Sequence, residues 1–462
     1  MNIPVYDLVI IGAGPAGMSA AATASSHGLK IVILDEQTAP GGQIYRSISN
    51  PAIADENILG ADYYHGRSLL TAMRYANVDY LPGSIVWAVS PDLSISFSRA
   101  GKSSQIKAKK LLIATGAQER PVPFPGWTLP GVLTCGAAQI LLKSSGLTPA
   151  APLILAGSGP LLLLIAAQLN RAGVEIEAIL DTTPKGRYLK SLRYLPAALR
   201  NLPLLIKGVG LLVELKRSGI RYVNNVSQLK ALPGSNQLLS KLQYSVDNRI
   251  ETSSCTTLLV HQGVVPNVQL TRALQLEHQW DELQQCWKPS LDSWGESSQA
   301  GIFVAGDSGG IAGARAAEYM GELTAQRIAQ QLGKLNKESL LKQTAKAGRL
   351  LYQQQAIRPF LDAMYQPADE FLKPSDETLV CRCEEVTAGQ IRGMVAQGCT
   401  GPNQTKAFSR AGMGPCQGRL CGLTVAQIIA DERKVPVKDV GYYKIRSPIK
   451  PLTIGEIADL AE

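Results

Sequence analysis

Histidine is scarce in this chain. His27, His65, His261 and His278 are its only four in 462 residues, scattered so that no His–carboxylate constellation emerges and no general base can be assigned. Long apolar runs are missing too: no stretch approaches the roughly eighteen consecutive apolar residues needed to span a bilayer. The N-terminus has neither a basic n-region nor a small-residue cleavage site and opens directly on a strand, "YDLVIIGAGPAG". The expected place is therefore the cytoplasm. Acidic residues number 37 against 46 Lys and Arg, which leaves a charge of +9. The cations are scattered rather than blocked, so this reads as a solvated surface and no nucleic-acid partner is expected. Apolar residues make up 45% of the chain, enough for cores and too many for a disordered polymer.

What is present begins with a βαβ unit. "DLVIIG" is a short, β-branched apolar run suited to a buried parallel strand, "GAGPAGMSAAATASSHG" is Ala-rich and helical, and "KIVILDE" is a second strand. A second such unit runs from residue 152 to 181, about 145 residues later, which suggests one nucleotide-binding domain interrupted by another. In "GAGPAG", Gly12 permits the tight turn, Gly14 lets backbone approach a pyrophosphate, and Gly17 lets helix pack on strand; Pro15 and Ala16 complete the loop. The helix N-terminus offers free N–H groups to the phosphates. Asp35, eighteen residues beyond Gly17, ends the second strand where a ribose would be held, and its neighbour Glu36 competes for that role. The second loop, "GSGPLL", keeps Gly157 and Gly159 but has Leu162 where a small residue belongs, which pushes helix and strand apart or shifts the helix. That departure weighs against NAD(P)H there; an ATP-like nucleotide is the other occupant, with Asp181 placed either for a ribose or as a helix cap.

Residues 182–219 are leucine-rich, basic and interrupted by Pro196 and Pro203. We expect helices buried within the second domain, because the prolines break any long face; the alternative is a surface helix that meets a partner or a membrane. The divisions expected are a first nucleotide-binding domain (1–120 and 290–335), an NAD(P)-like domain (121–289), a helical connector (336–376), a cysteine domain (377–440) and a tail (441–462).

Eight cysteines include two close pairs, Cys381 with Cys383 and Cys416 with Cys421, separated by thirty-two residues. In a reducing compartment such clusters are metal ligands rather than disulfides. Four thiolates can hold a [2Fe–2S] cluster, two per iron. Structural zinc favours C-x2-C, which neither pair supplies. Two short helices and a Gly-rich loop are expected between the pairs. Cys399 fits no ligand position, and Arg382, Lys406, Arg410 and Arg419 are placed to offset the cluster's negative charge or are ordinary surface cations.

Three further stretches carry a resemblance. "APGGQIYR" (Gly41, Gly42, Gln43), "LLIATGA" (Ala114, Thr115, Gly116) and "GIFVAGD" (Gly306, Asp307) resemble the flavin motifs of the thioredoxin and glutathione reductase family. That resemblance implies an α/β fold of two Rossmann-like domains, FAD at these residues, and Asp307 on the ribityl and pyrophosphate. Members that reduce disulfides carry a paired cysteine motif beside the flavin; residues 1–335 hold only the separated Cys135, Cys255 and Cys286, so dithiol chemistry is excluded. Residues 378–430 resemble bacterioferritin-associated ferredoxin, a small helical [2Fe–2S] module.

With "GAQERPVPFPGWTLPGV", "AGSGPLL" and "RAGMGPCQGRLCG", the whole chain resembles the A or alpha subunits of opine oxidases, of D-hydroxyproline and dye-linked L-proline dehydrogenases, and of hydrogen cyanide synthase. The resemblance implies a heteromeric amino-acid or opine dehydrogenase acting on C–N bonds. Its partner would be a flavoprotein like D-amino-acid and sarcosine oxidases, with a further small subunit, and its acceptor would belong to the respiratory chain at the inner face of the membrane. The alternatives are an NAD(P)H-dependent reductase of an electron carrier, a subunit of a glycine-oxidising cyanide synthase, and an iron-handling protein.

Overall fold

Two sheets, one mixed and one wholly parallel, each rising into a glycine loop, organise the chain. The computed structural model describes residues 3–460. Val5–Ile11 lies at the centre of a seven-stranded sheet, parallel to Ile31–Asp35 on one side and Lys102–Ile113 on the other. Both faces are covered there, so Leu8, Val9 and Ile10 are fully buried and the strand reads as an unbroken apolar run from Leu8 to Ile11. Ile302–Val304 returns from far along the chain to pair with Lys102–Ile113, placing Phe303 opposite Leu112. The helix Pro15–Ser26 starts with proline, where a missing N–H costs nothing. The helix Ala314–Gln331 packs on it so closely that a Cβ on Gly321 would stand 2.2 Å from the Ala16 carbonyl oxygen.

The second sheet has five strands in the order Arg221–Val223, Ile176–Asp181, Leu153–Ser158, Thr257–Gln262, Val132–Thr134. An antiparallel sheet of three strands, from Val226 to Ser254, stands beside it. The chain passes between the two modules through Ala117–Glu119 and Val264–Pro266, which pair antiparallel. The connector is helical, with Lys337–Gln355 followed by Arg358–Met364.

The C-terminal module contributes the helices Ala388–Ala396, Pro402–Ser409 and Gly422–Arg433. The first opens with a capping box, in which Thr387 and Gln390 satisfy each other's backbone N–H groups. The last is not a free appendage: Val425, Ile428 and Ile429 share one core with Val9, Val32 and Leu34 of the first sheet. The cysteine module therefore covers the face of that sheet opposite the helix Pro15–Ser26.

The leucine-rich segment departs from expectation. Its prolines do divide it, into Lys185–Ser191, Leu195–Ala198 and Leu202–Arg217, but these helices lie on the outside. Leu211 and Leu215 turn inward to the main core. The opposite stripe is left in solvent, with Leu202 51%, Ile206 67%, Val209 61% and Val213 41% exposed. The reason is that the helix is apolar on two opposite sides, while the second module offers it only one face to pack against.

Candidate flavin and iron–sulfur site

The residues picked out from the flavin motifs converge at the C-terminal edge of the first sheet. Gly12 turns with φ +103°, and a Cβ there would meet the Ala114 carbonyl oxygen at 2.5 Å. A Cβ on Gly17 would lie 2.0 Å from the Gly12 carbonyl oxygen, and one on Gly42 only 3.0 Å from the Gly14 Cα. The glycines are thus required by backbone meeting backbone. Gly41 N–H donates to the Ala13 carbonyl at 2.8 Å and Ala114 N–H to the Ile11 carbonyl at 2.9 Å, tying three loops together. Asp307 accepts from the N–H groups of Ala312 (2.8 Å) and Gly313 (2.9 Å), and Gly306 packs against Ala16.

Asp35 and Glu36 have separate surroundings. Asp35 is buried, takes hydrogen bonds from Gln37 N–H (3.3 Å) and Tyr80 Oη (3.2 Å), and faces the Ala13 N–H of the glycine loop. Burial raises its carboxyl pKa against these bonds. Glu36 is half-exposed and held by Lys450 of the tail at 2.7 and 2.9 Å.

Several residues that sequence reasoning missed support the loop at Gln43. Lys143, 1% exposed, donates to the carbonyls of Gln43 (3.3 Å) and Ile44 (2.9 Å) and to Gln139 Oε1 (3.0 Å). With no carboxylate on its ammonium, burial pushes it down to about 7. Arg46 reaches Gln37 and Gln43. The histidines also require a correction: two of the four are joined to carboxylates. His65 Nε2 lies 3.0 Å from Glu318 Oε2, and His261 Nδ1 2.7 Å from Glu119 Oε1. Their partners stand 253 and 142 residues away, a separation that sequence patterning does not register.

At the second loop the helix Pro160–Arg171 starts directly after Gly159, as the first helix does after Gly14. Leu162 is absorbed into the core at 1% exposure. Because Gly17 has no room for a Cβ against its own loop, a leucine at the matching place keeps this loop farther from its helix. Asp181 already accepts from Thr183 N–H (2.8 Å), Tyr222 Oη (2.9 Å) and Tyr188 Oη (3.1 Å). Tyr365, from the connector, stands with its Cβ 3.9 Å from where a Cβ on Gly159 would be.

The four expected cysteine ligands come together as two couples. Cys421 bears most strongly on Cys381, whose thiol is held down to about 6, and Cys416 is the partner of Cys383. Gly412 N–H donates to Cys381 Sγ at 3.5 Å, and Tyr443 Oη lies 4.0 Å from Cys421 Sγ. Gly414 is required as glycine, since a Cβ would fall 2.2 Å from that of Cys383. Among the described residues, no three His, Cys, Asp or Glu side chains converge on one ion. The couples also act on each other, Cys381 on Cys383 and Cys416 on Cys421, and four thiolates so gathered could hold a pair of irons, two on each. Cys399 is buried. Of the nearby cations, Arg410 is neutralised by Glu384 at 2.8 Å, and Arg419 turns back to the Cys416 carbonyl at 3.1 Å.

The two sites touch. Gln118, two residues past Gly116, donates through Nε2 to the carbonyl of Arg419 at 2.9 Å, between Cys416 and Cys421. Gln269 Nε2 donates to the Gln417 carbonyl at 3.0 Å, and Thr115 Oγ1 to the Asn267 carbonyl at 3.4 Å.

Residues 6–321 match the model of the pyridine nucleotide-disulphide oxidoreductase family, and residues 375–460 that of the sarcosine oxidase A3 domain. The opine oxidase A subunit of Agrobacterium tumefaciens (strain Ach5) is 44% identical over 98% of this chain and 92% of its own length. The chain belongs to the family of opine oxidase A subunits. Hydrogen cyanide synthase subunit HcnB of Pseudomonas aeruginosa is more distant, 32% identical over 98% of both chains. As a member of the opine oxidase family, the chain is an FAD-dependent oxidoreductase and one component of a heteromeric enzyme. Its fold is shared with L-proline dehydrogenase from P. horikoshii, with TM-score 0.73, 19% identity, and coverage of 99% of this chain and 80% of that one. Thioredoxin reductase from T. acidophilum shares part of the fold, with TM-score 0.51, 18% identity, and coverage of 71% of this chain and 99% of that one.

Proposed function

We propose that this chain is the FAD- and [2Fe–2S]-carrying subunit of an amino-acid or opine dehydrogenase. It relays electrons from a substrate-oxidising flavoprotein partner, like D-amino-acid and sarcosine oxidases, to an external acceptor of the respiratory chain. The carrying observation is the direct contact of Gln118 with the Arg419 carbonyl, which sets the flavin loop against the cysteine loop. A flavin bound there exchanges electrons in pairs or singly, and a [2Fe–2S] cluster one at a time. The protein's part is to hold them. The loop Gly12–Gly17 and the helix behind it receive the pyrophosphate, Asp35 the ribose, and Asp307 the ribityl chain. Cys381, Cys383, Cys416 and Cys421 hold the irons. Gly41, Gly42 and Gln43, backed by Lys143, and Ala114, Thr115 and Gly116 line the flavin.

Use of NAD(P)H as the electron source is disfavoured, because Leu162 fills the small-residue place and Tyr365 stands against Gly159. The higher identity to opine oxidases than to cyanide synthase subunits supports an opine substrate over glycine. Anaerobic mixing of the purified chain with NADH and NADPH tests the assignment. The flavin absorbance is expected to persist with both and to bleach on adding the partner flavoprotein with its amino-acid substrate. Bleaching by NADH alone would establish the reductase reading instead.

A further inference from the structure

Nothing in the flavin or cysteine sites uses residues 185–217, yet they form the most apolar exposed surface among the described residues. On Leu202–Arg217, the exposed residues Leu202, Ile206, Val209 and Val213 follow one another at helical spacing of four, three and four, so they form one stripe. Leu189 and Leu192 extend it onto the neighbouring turns at 75% and 51% exposure. The next positions on the same stripe are Lys216 and Arg217, both exposed.

The charge around this stripe has one sign. Residues 185–217 hold eight Lys and Arg against a single acid, Glu214, which is already paired with Arg171 at 2.5 Å. Lys185 and Lys207 pair with Asp247 and Asp62, whereas Lys190, Arg193, Lys216 and Arg217 are exposed and pair with no carboxylate among the described residues.

We propose that this surface docks on an anionic lipid bilayer, with the aliphatic stripe entering the headgroup–acyl boundary and the cations meeting lipid phosphates. A partner protein fits less well. Protein interfaces concentrate their binding in Trp, Tyr and Arg, and deplete Lys. Here the exposed apolar residues are Leu, Ile and Val with Tyr188 as the one exposed aromatic, continued by Lys and Arg, which is the pattern of a helix lying in the membrane plane. None of these helices is long and apolar enough to cross a bilayer, so the attachment is peripheral. This docking would bring an electron-relaying protein beside acceptors dissolved in the membrane, but it stands on its own surface and not on the relay.

The test is sedimentation of the full chain with vesicles of phosphatidylcholine alone and of phosphatidylcholine with about a third phosphatidylglycerol. Binding is expected only to the second, weakening as salt is raised. The Ile206→Glu/Val209→Glu double variant should lose at least tenfold in partitioning, while Ile250→Glu, on an exposed strand elsewhere, should bind like the parent. Lys216→Ala and Arg217→Ala should each lose about fivefold. Failure of the parent to bind anionic vesicles at low salt would overturn the proposal. So would unchanged binding by the double variant, whose melting temperature controls for folding. If the double variant binds vesicles normally but no longer retains the partner flavoprotein in a pull-down, the surface is an interface between subunits instead.

Discussion

Lys450, in the C-terminal tail, holds both carboxylate oxygens of Glu36, 414 residues earlier, at 2.7 and 2.9 Å. The tail is fastened nearby as well, by Ile449 N–H on the Trp87 carbonyl at 2.9 Å and by Gln417 Nε2 on the Pro448 carbonyl at 2.6 Å. Two neighbouring acids thereby acquire separate tasks, Glu36 anchoring the tail and Asp35 facing the glycine loop. The prediction concerns FAD affinity, measured by titration of the apoprotein. Asp35→Asn removes a charge-assisted bond of about 1.5–3 kcal/mol to the ribose and should weaken FAD roughly 10- to 100-fold. Glu36→Gln breaks only a partly exposed ion pair, and its effect should stay within about threefold. The reverse ranking would assign the ribose to Glu36.

Lys143 supplies a pH prediction. Its amine is held near 7 in the folded protein, against an ordinary value of 10.5. Between these values the unfolded chain binds the proton and the folded chain does not, so stability rises as pH increases from about 7 toward 10.5. Below about 7 both states are protonated, and the burial cost is present in full. Urea melts across pH 6–10 should therefore show a rising limb that Lys143→Met flattens. That variant also leaves the Gln43 and Ile44 carbonyls without their donor, so slope rather than absolute stability is the diagnostic quantity. A parent slope no steeper than the variant's would mean the amine is already paired.

Reading the chain alone works where function forces backbone against backbone. The glycines at 12, 17 and 42 are legible because any Cβ would collide, and both βαβ units are legible because buried parallel strands are continuously apolar. It fails where partners are far apart in the chain. Glu318 and Glu119 find their histidines only through the fold, and Lys143 is polar by composition yet lies in the core. The leucine-rich helices mislead for another reason: an apolar pattern reports that a segment avoids water, not whether protein or something else covers it.

Iron retention separates the cysteines. Cys383 and Cys416 form one couple and Cys381 and Cys421 the other, while Cys399 is buried and fits no ligand position in the spacing. Cys383→Ser and Cys416→Ser should lower bound iron well below the expected value of about two per chain, while Cys399→Ala should leave it unchanged. Metal analysis with the visible spectrum checks this. Because the couples join residues 381–383 to 416–421, chelating the metal should also lower the melting temperature by several degrees. Iron loss on Cys399→Ala would show that the ligand set is wrong.

Two glycine-to-alanine substitutions should have opposite signs. Gly321 sits where its helix meets Pro15–Ser26, and a methyl there would stand 2.2 Å from the Ala16 carbonyl oxygen. Neither partner is a flexible side-chain end, so the helices must separate, at a cost of about 1–3 kcal/mol. The displacement falls on the helix whose first turn carries the glycine loop, so FAD should be released at lower urea than the loss of stability alone explains. Gly348 lies within Lys337–Gln355 and has nothing within 4 Å of its would-be Cβ. Alanine there only reduces the freedom of the unfolded chain and raises helix propensity, so it should stabilise by about 0.4–1 kcal/mol. Urea melts followed by both flavin fluorescence and far-UV dichroism distinguish the cases. If Gly321→Ala left the two probes coincident and the midpoint unmoved, the close approach of these helices would not be what holds the flavin loop in place.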